Sequence, residues 1–297
     1  MHFYFGTVSK EAKADNYLAR GTECKYDLQV VGDPANYVRD EDSHIIQIKD
    51  GANLTIKSAD GYGKNNYSQT RIQIEENASV TLTLDGVYID TAKAYGGAPL
   101  LISDNSTGNV DIILKGENVL IAADSYAAIQ KNGDAENIGT LTISGDGSLT
   151  AKGGERGAGI GGGAYEAGSN ITISEGTVTA TAAADAAKEY SRAGAGIGGG
   201  INEAGSNISI SGGTVTAVST AASPMGITGA GIGGGSYKDG NNISISGGTV
   251  IATSSTTGEG GYSGAGIGGG DGGNGRDITI SGANVIATSS GTGEGSF

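Results

Sequence analysis

Apolar and polar residues alternate in short runs along most of the chain. Ile45-Ile46-Gln47-Ile48, Asn53-Leu54-Thr55-Ile56, Arg71-Ile72-Gln73-Ile74, Val80-Thr81-Leu82-Thr83-Leu84, Val110-Asp111-Ile112-Ile113-Leu114 and Thr140-Leu141-Thr142-Ile143 each follow a period of two, that of a strand with one buried face. From residue 157 the runs become regular. Gly-Ala-Gly-Ile-Gly-Gly-Gly begins at Gly157, Gly194, Gly229 and Gly264, at spacings of 37, 35 and 35 residues. Each copy is followed by Ile171-Thr172-Ile173-Ser174 or its equivalent, then by Thr177-Val178-Thr179-Ala180 or its equivalent. Three β-branched segments per repeat, punctuated by glycine, predict three strands and three turns, one rung of a stacked solenoid.

The alternation also assigns faces. Ala158, Ile160, Ile171, Ile173, Val178 and Ala180 are expected inside, with Thr172, Thr177 and Thr179 outside. Asn170, Asn207, Asn242 and Asp277 share one turn position, which predicts an inward ladder of amides capping turn backbone groups. Aligning Leu84, Leu114 and Ile143 sets Asp85 beside Lys115 on the neighbouring rung. Residues 1–42 lack the alternation and are expected to cap the open end of the stack. The predicted fold is all-β: a right-handed parallel β-helix with three strands per rung over 43–297, regular at about 35 residues per repeat from 157, and an N-terminal cap over 1–42.

Composition fits many tight turns: 56 Gly, three Pro and no Trp. A net charge of −14 argues against a nucleic-acid partner, which needs a basic stripe, and against docking on anionic lipid. Cys24 is the single cysteine, so an intrachain disulfide is excluded. No stretch approaches the roughly 18 apolar residues of a membrane span. The opening Met1-His2-Phe3-Tyr4-Phe5 is too short for the apolar core of a signal peptide. Residues 288–297 parallel 253–262, after which the earlier copy runs on into another repeat, so the chain reads as a piece of a longer protein, with any signal sequence and anchor expected elsewhere in it.

The run from Thr81 to Gly163 contains Leu82-Thr83-Leu84-Asp85-Gly86, Leu114-Lys115-Gly116-Glu117-Asn118, Ala128-Ile129-Gln130, Leu141-Thr142-Ile143-Ser144-Gly145-Asp146-Gly147 and the first Gly-Ile-Gly-Gly-Gly. In these motifs the chain resembles the carbohydrate-binding β-helix domains of clostridial secreted and cell-surface proteins, and more weakly so from about residue 43 to the end. The resemblance implies a surface β-helix that binds a plant or host polysaccharide, with calcium as a cofactor in some members. Its motifs mark scaffold strands and turns, not a sugar site.

Catalysis is not expected. His2 and His44 are the only histidines and both precede the regular rungs, which excludes a histidine triad or zinc site there. The glycine runs end in strands, so they are not phosphate loops. Lyases and glycosidases built on parallel β-helices need a positioned base with calcium, or paired carboxylates; Arg156 and Arg192 precede their glycine motifs at different offsets and form no aligned pair. For binding, the informative column is Tyr165, Asn202, Tyr237 and Gly272, followed by Glu166, Glu203, Lys238 and Gly273. Tyrosine presents a flat apolar body and a hydroxyl, suited to stacking on a sugar ring. The candidate carbohydrate-binding residues are therefore Tyr165, Glu166, Asn202, Glu203 and Tyr237. For calcium, Gly272-Gly273-Asn274-Gly275-Arg276-Asp277 matches the opening of a single calcium-binding nonapeptide, and the candidates are Asp104, Asn105, Asp271 and Asp277. Two main readings stay open: a non-catalytic polysaccharide-binding or adhesive module, and a structural stalk. A lyase or glycosidase is a minor third, and an ice- or mineral-binding array of outward Thr177, Thr179 and Thr181 is a fourth.

Overall fold

The computed structural model describes residues 26–93, 96–134, 136 and 138–293. His2, Cys24 and the rest of the expected cap before residue 26 lie outside them, as do residues 294–297. The chain is a right-handed parallel β-helix of three sheets, with nine, nine and seven strands. The glycine sheet runs from Tyr37–Asp40 and Ile45–Ile48 to Ile267–Gly268, and the isoleucine sheet from Leu28–Val31 and Asn53–Ser58 to Gly275–Ile280. The threonine sheet begins at Tyr88–Asp90 and ends at Asn284–Ser290.

Stacking is in register. Ile160 lies beside Ile197, Ile232 and Ile267 in turn. Ile171 lies beside Ile208, Ile243 and Ile278, and Val178 beside Val215, Val250 and Val285. Ala158, Ile160, Ile171, Ile173, Val178 and Ala180 are buried, as their alternation predicts. At the N-terminal end the pairing changes sense. Leu28–Val31 runs antiparallel to Asn53–Ser58, and Tyr37–Asp40 antiparallel to Ile45–Ile48. These two strands occupy edges that the first rung would otherwise leave open to another chain.

The outline is not a plain triangle. In the regular rungs the third strand is long, as in Thr177–Ala184, and its second half packs against the Gly-Ala-Gly that opens the same repeat. A Cβ on Gly159, Gly196, Gly231 or Gly266 would sit 2.5 or 2.6 Å from the backbone nitrogen of Thr181, Val218, Thr253 or Thr288. Only glycine permits that approach. The buried hydroxyls of Ser219 and Ser254, and that of Ser289 in the last rung, donate to the carbonyls of Gly194, Gly229 and Gly264 at 2.8, 2.8 and 2.7 Å. Ala182, Ala184, Ala193 and Ala221 form a small second core there.

Two expectations need correction. The amide ladder exists: Asn207 Nδ2 donates to Asn170 Oδ1 at 2.8 Å, and Asn242 Nδ2 to Asn207 Oδ1 at 2.5 Å. It runs along the outer edge, not inward, because each Asn takes a left-handed conformation (φ 54, 51 and 50°) that swings its side chain out of the strand alternation. Asp85 is in register with Lys115 as expected, but its carboxylate pairs with Lys57 on the other side, at 2.6 Å. Ile143 faces Ile112, whereas Leu114 faces Gly145, so the three-residue alignment slips by two at its last member.

Candidate functional site

The glycine sheet is only two residues wide in the regular rungs, as at Ile160–Gly161. Loops therefore rise on both of its sides. On one side the turn after the glycine motif stacks Tyr165, Asn202, Tyr237 and Gly272 in register. On the other, the loop from the threonine sheet stacks Arg192, Ile227 and Tyr262 through successive parallel bridges. Between them lies a cleft of about 450 Å³, lined by Tyr165, Tyr190, Arg192, Met225, Tyr237 and Tyr262, with Glu155, Arg156 and Ile201 among the remaining contacts. That volume lies within the range of small-ligand sites.

The tyrosine column is conformationally costly. Tyr165 and Tyr237 have φ of 64° and 67°, where a bulky side chain is an outlier costing roughly 1–2 kcal/mol. The same position carries Asn77, Asn105, Asp134 and Asn202, and finally Gly272; all of these but Asp134 have positive φ, and they are residues that accept the left-handed region readily. Strain kept at two of these rungs points to use of the side chains, since Asn would serve the turn better. Tyr165 is 57% exposed and Tyr237 41% exposed. The Arg192 guanidinium carbon lies 4.9 Å from the centre of the Tyr237 ring, joining the two walls across the floor.

The sequence candidates divide. Tyr165 and Tyr237 line the cleft; Asn202, Glu166 and Glu203 are in the same turns but outside its lining. Burial first, then repulsion from Asp104, Glu203 and Asp134, raises the Glu166 carboxyl above its usual range. Tyr190, Met225 and Tyr262 were not anticipated, and Arg156 and Arg192 share the cleft although they are not aligned with each other. Counting backward from the glycine motifs aligns Arg192 with Ile227 and Tyr262; counting forward from the third strand hides it, because the loop lengths differ.

The calcium candidates do not converge. Asp104 Oδ1 accepts from Asn132 Nδ2 at 2.8 Å, and Asn105 is in the turn of that same rung. Asp271 follows a strand five rungs further on, about 24 Å along the axis at one rung spacing per step, and burial raises its carboxyl. Asp277 sits in the last rung, aligned with the amide ladder. Among the described residues no three His, Cys, Asp or Glu side chains are gathered as a metal cage, and no helix is long and apolar enough to cross a membrane. A smaller hollow of about 270 Å³ near the N-terminal strands is lined by Tyr26, Asp27, Arg39 and His44 among others. There the Asp27 carboxylate accepts from the hydroxyls of Ser68 and Thr70, both at 2.7 Å, an arrangement that ties the cap to the first rungs.

No curated protein and no solved structure matches the chain. Four segments, residues 141–164, 171–201, 208–236 and 243–271, match the family model described as Beta helix repeat. The cleft is thus built on β-helix repeats, and the match itself names no ligand.

Proposed function

We propose that this chain is a non-catalytic polysaccharide-binding module of a secreted or cell-surface protein, and that the cleft between the two loop columns is its binding site. The observation that carries the reading is the pair of tyrosines held in left-handed turns and opening into an aromatic cleft. Tyr165 and Tyr237 are two rungs apart, about 9.6 Å, so an extended glycan lying along the solenoid axis would meet a stacking platform at intervals. Arg156 and Arg192 add donors for sugar oxygens. Calcium has no assigned place in this reading.

The test is retention on a polysaccharide array, with calcium and with chelator, of the parent and of a Tyr165→Asn/Tyr237→Asn variant. Asparagine suits both backbone conformations, so the variant is expected to fold at least as stably while losing retention. Equal retention by the two proteins, or none by the parent on any polymer, would sink the proposal. The latter result would favour the stalk reading, which the continuous in-register stacking of the later rungs supports.

A further inference from the structure

The loop over residues 185–192 differs from its equivalents. From the paired Ala184 and Ala221 to the paired Ile197 and Ile232, it carries two more residues than the next rung does, which accounts for the first 37-residue spacing. Its internal turn is closed by Asp185 Oδ1, which accepts from Ala187 N at 2.9 Å, and by a 3.5 Å contact of Lys188 Nζ with Asp185. Lys188 also pairs with Glu155 of the preceding rung, a carboxylate only 8% exposed. Three residues beyond Lys188, and directly after Tyr190, the buried Ser191 hydroxyl meets that of Ser223 of the following rung at 2.5 Å. The backbone is thus anchored to the rung before and to the rung after, and Tyr190 lies between the anchors with its side chain 66% exposed. The matching position holds Met225 in the next rung and Gly260 in the one after.

We infer that Lys188 is a positioning residue: its pairing with Glu155 latches the long loop so that Tyr190 stands as a fixed third aromatic wall for the glycan proposed above, on which reading this inference rests. Removing the lysine leaves a largely buried carboxylate without its partner and frees the loop on one side. Ordering Tyr190 in advance lowers the cost of immobilising it on binding, and losing that order is expected to weaken retention about two- to tenfold.

Because the chain contains no tryptophan, Tyr190→Trp creates a single fluorophore on the loop. Its anisotropy and its protection from acrylamide are compared in the Tyr190→Trp protein and in the same protein carrying Lys188→Met or Lys188→Arg. The latch predicts lower anisotropy and easier quenching with Met and recovery with Arg, while far-ultraviolet dichroism stays unchanged. On the array, Lys188→Met in the otherwise native chain is expected to weaken retention and Lys188→Arg to restore it. Equal fluorescence with and without Lys188 overturns the latch whatever the array shows. A fluorescence response alongside unchanged retention overturns the role assigned to Tyr190. A parent that retains no polysaccharide overturns the binding reading and the use of Tyr190 with it, while a fluorescence response would still establish the latch.

Discussion

The first rungs and the last reach the same stacking by different means. In the glycine sheet, strands narrow from four residues at Ile45–Ile48 and Arg71–Ile74 to three at Leu100–Ile102 and Ile129–Lys131, then to two from Ile160–Gly161 onward. The threonine sheet does the reverse, growing from three residues at Tyr88–Asp90 to eight at Thr177–Ala184. Early rungs fill this corner with paired side chains such as Ile72 and Ile74; late rungs bring backbone against backbone and stitch it with serine hydroxyls. A β-helix can thus exchange side-chain volume for close main-chain approach. Where it does so the strand shortens, the loop leading into it lengthens, and a cleft becomes possible.

The sharpest way to break this contrast is to add one methyl group to each half. A Cβ on Gly233 would lie 2.0 Å from the Gly268 carbonyl oxygen, and Gly233 has φ +131°. Gly233→Ala is expected to cost on the order of 4 kcal/mol or more, since neither backbone can yield without breaking the stack. Gly51, in the early rungs, has φ +73° but nothing within 4 Å of a built Cβ. Gly51→Ala should cost about 1–2 kcal/mol, from the left-handed backbone alone. Denaturant unfolding of the two variants checks the difference. Equal losses would mean that the glycine tract is not a close-packed element.

Lys131 stands where the two regimes meet. It is in register with Ile102, at an inward position, and only 2% exposed. Burial lowers its ammonium from 10.5 to about 8. Below pH 8 both folded and unfolded chains carry the proton, and the folded one bears the full cost of a charge in the core. Between about 8 and 10.5 only the unfolded chain holds it, so stability rises with pH. Lys131→Met is expected to stabilise the protein by about 3 kcal/mol at pH 7, an advantage that shrinks through that window and vanishes above it. Unfolding midpoints of both proteins from pH 7 to 11 test this, and parallel pH profiles would refute it.

Much of this contrast could be read from sequence. Period-two runs identified strands in both halves, and the exact repeat aligned the rungs because each glycine motif carries its own register mark. The narrowing sheet was less legible: inward Ala182 and Ser219 continue the alternation of the third strand, yet small residues in such a run look the same whether they face a core or solvent. Lys131 escaped notice because a lysine at a strand end normally marks the surface. Within the cleft, Tyr165 and Tyr237 were found since they follow the glycine motif at a constant distance. Tyr190 and Tyr262 were not, since a loop of variable length separates them from the strand before. Their meeting depends on how two loop columns lean toward each other, which no periodicity encodes.

The turn ahead of the isoleucine sheet offers the finest comparison. In the early rungs its side chains accept from the backbone of the next rung: Ser79 Oγ from Asn109 N at 3.1 Å, and Asn109 Oδ1 from Thr140 N at 2.9 Å. In the late rungs the aligned residues Asn170, Asn207 and Asn242 bond side chain to side chain. Asn109→Ala removes one acceptor from an exposed backbone donor and should cost about 1 kcal/mol. Asn207→Ala severs both neighbouring bonds and places alanine at φ 51°, so about 2 kcal/mol is expected. The ladder has a direction, each amide donating toward the N-terminal end, and Asp277 has no amide hydrogen to offer Asn242. Asp277→Asn supplies one. A gain of about 0.5 kcal/mol that disappears in an Asn242→Ala background would show a ladder extended by one step. The same gain in both backgrounds would reduce the column to separate turn residues, each preferring asparagine for its own backbone.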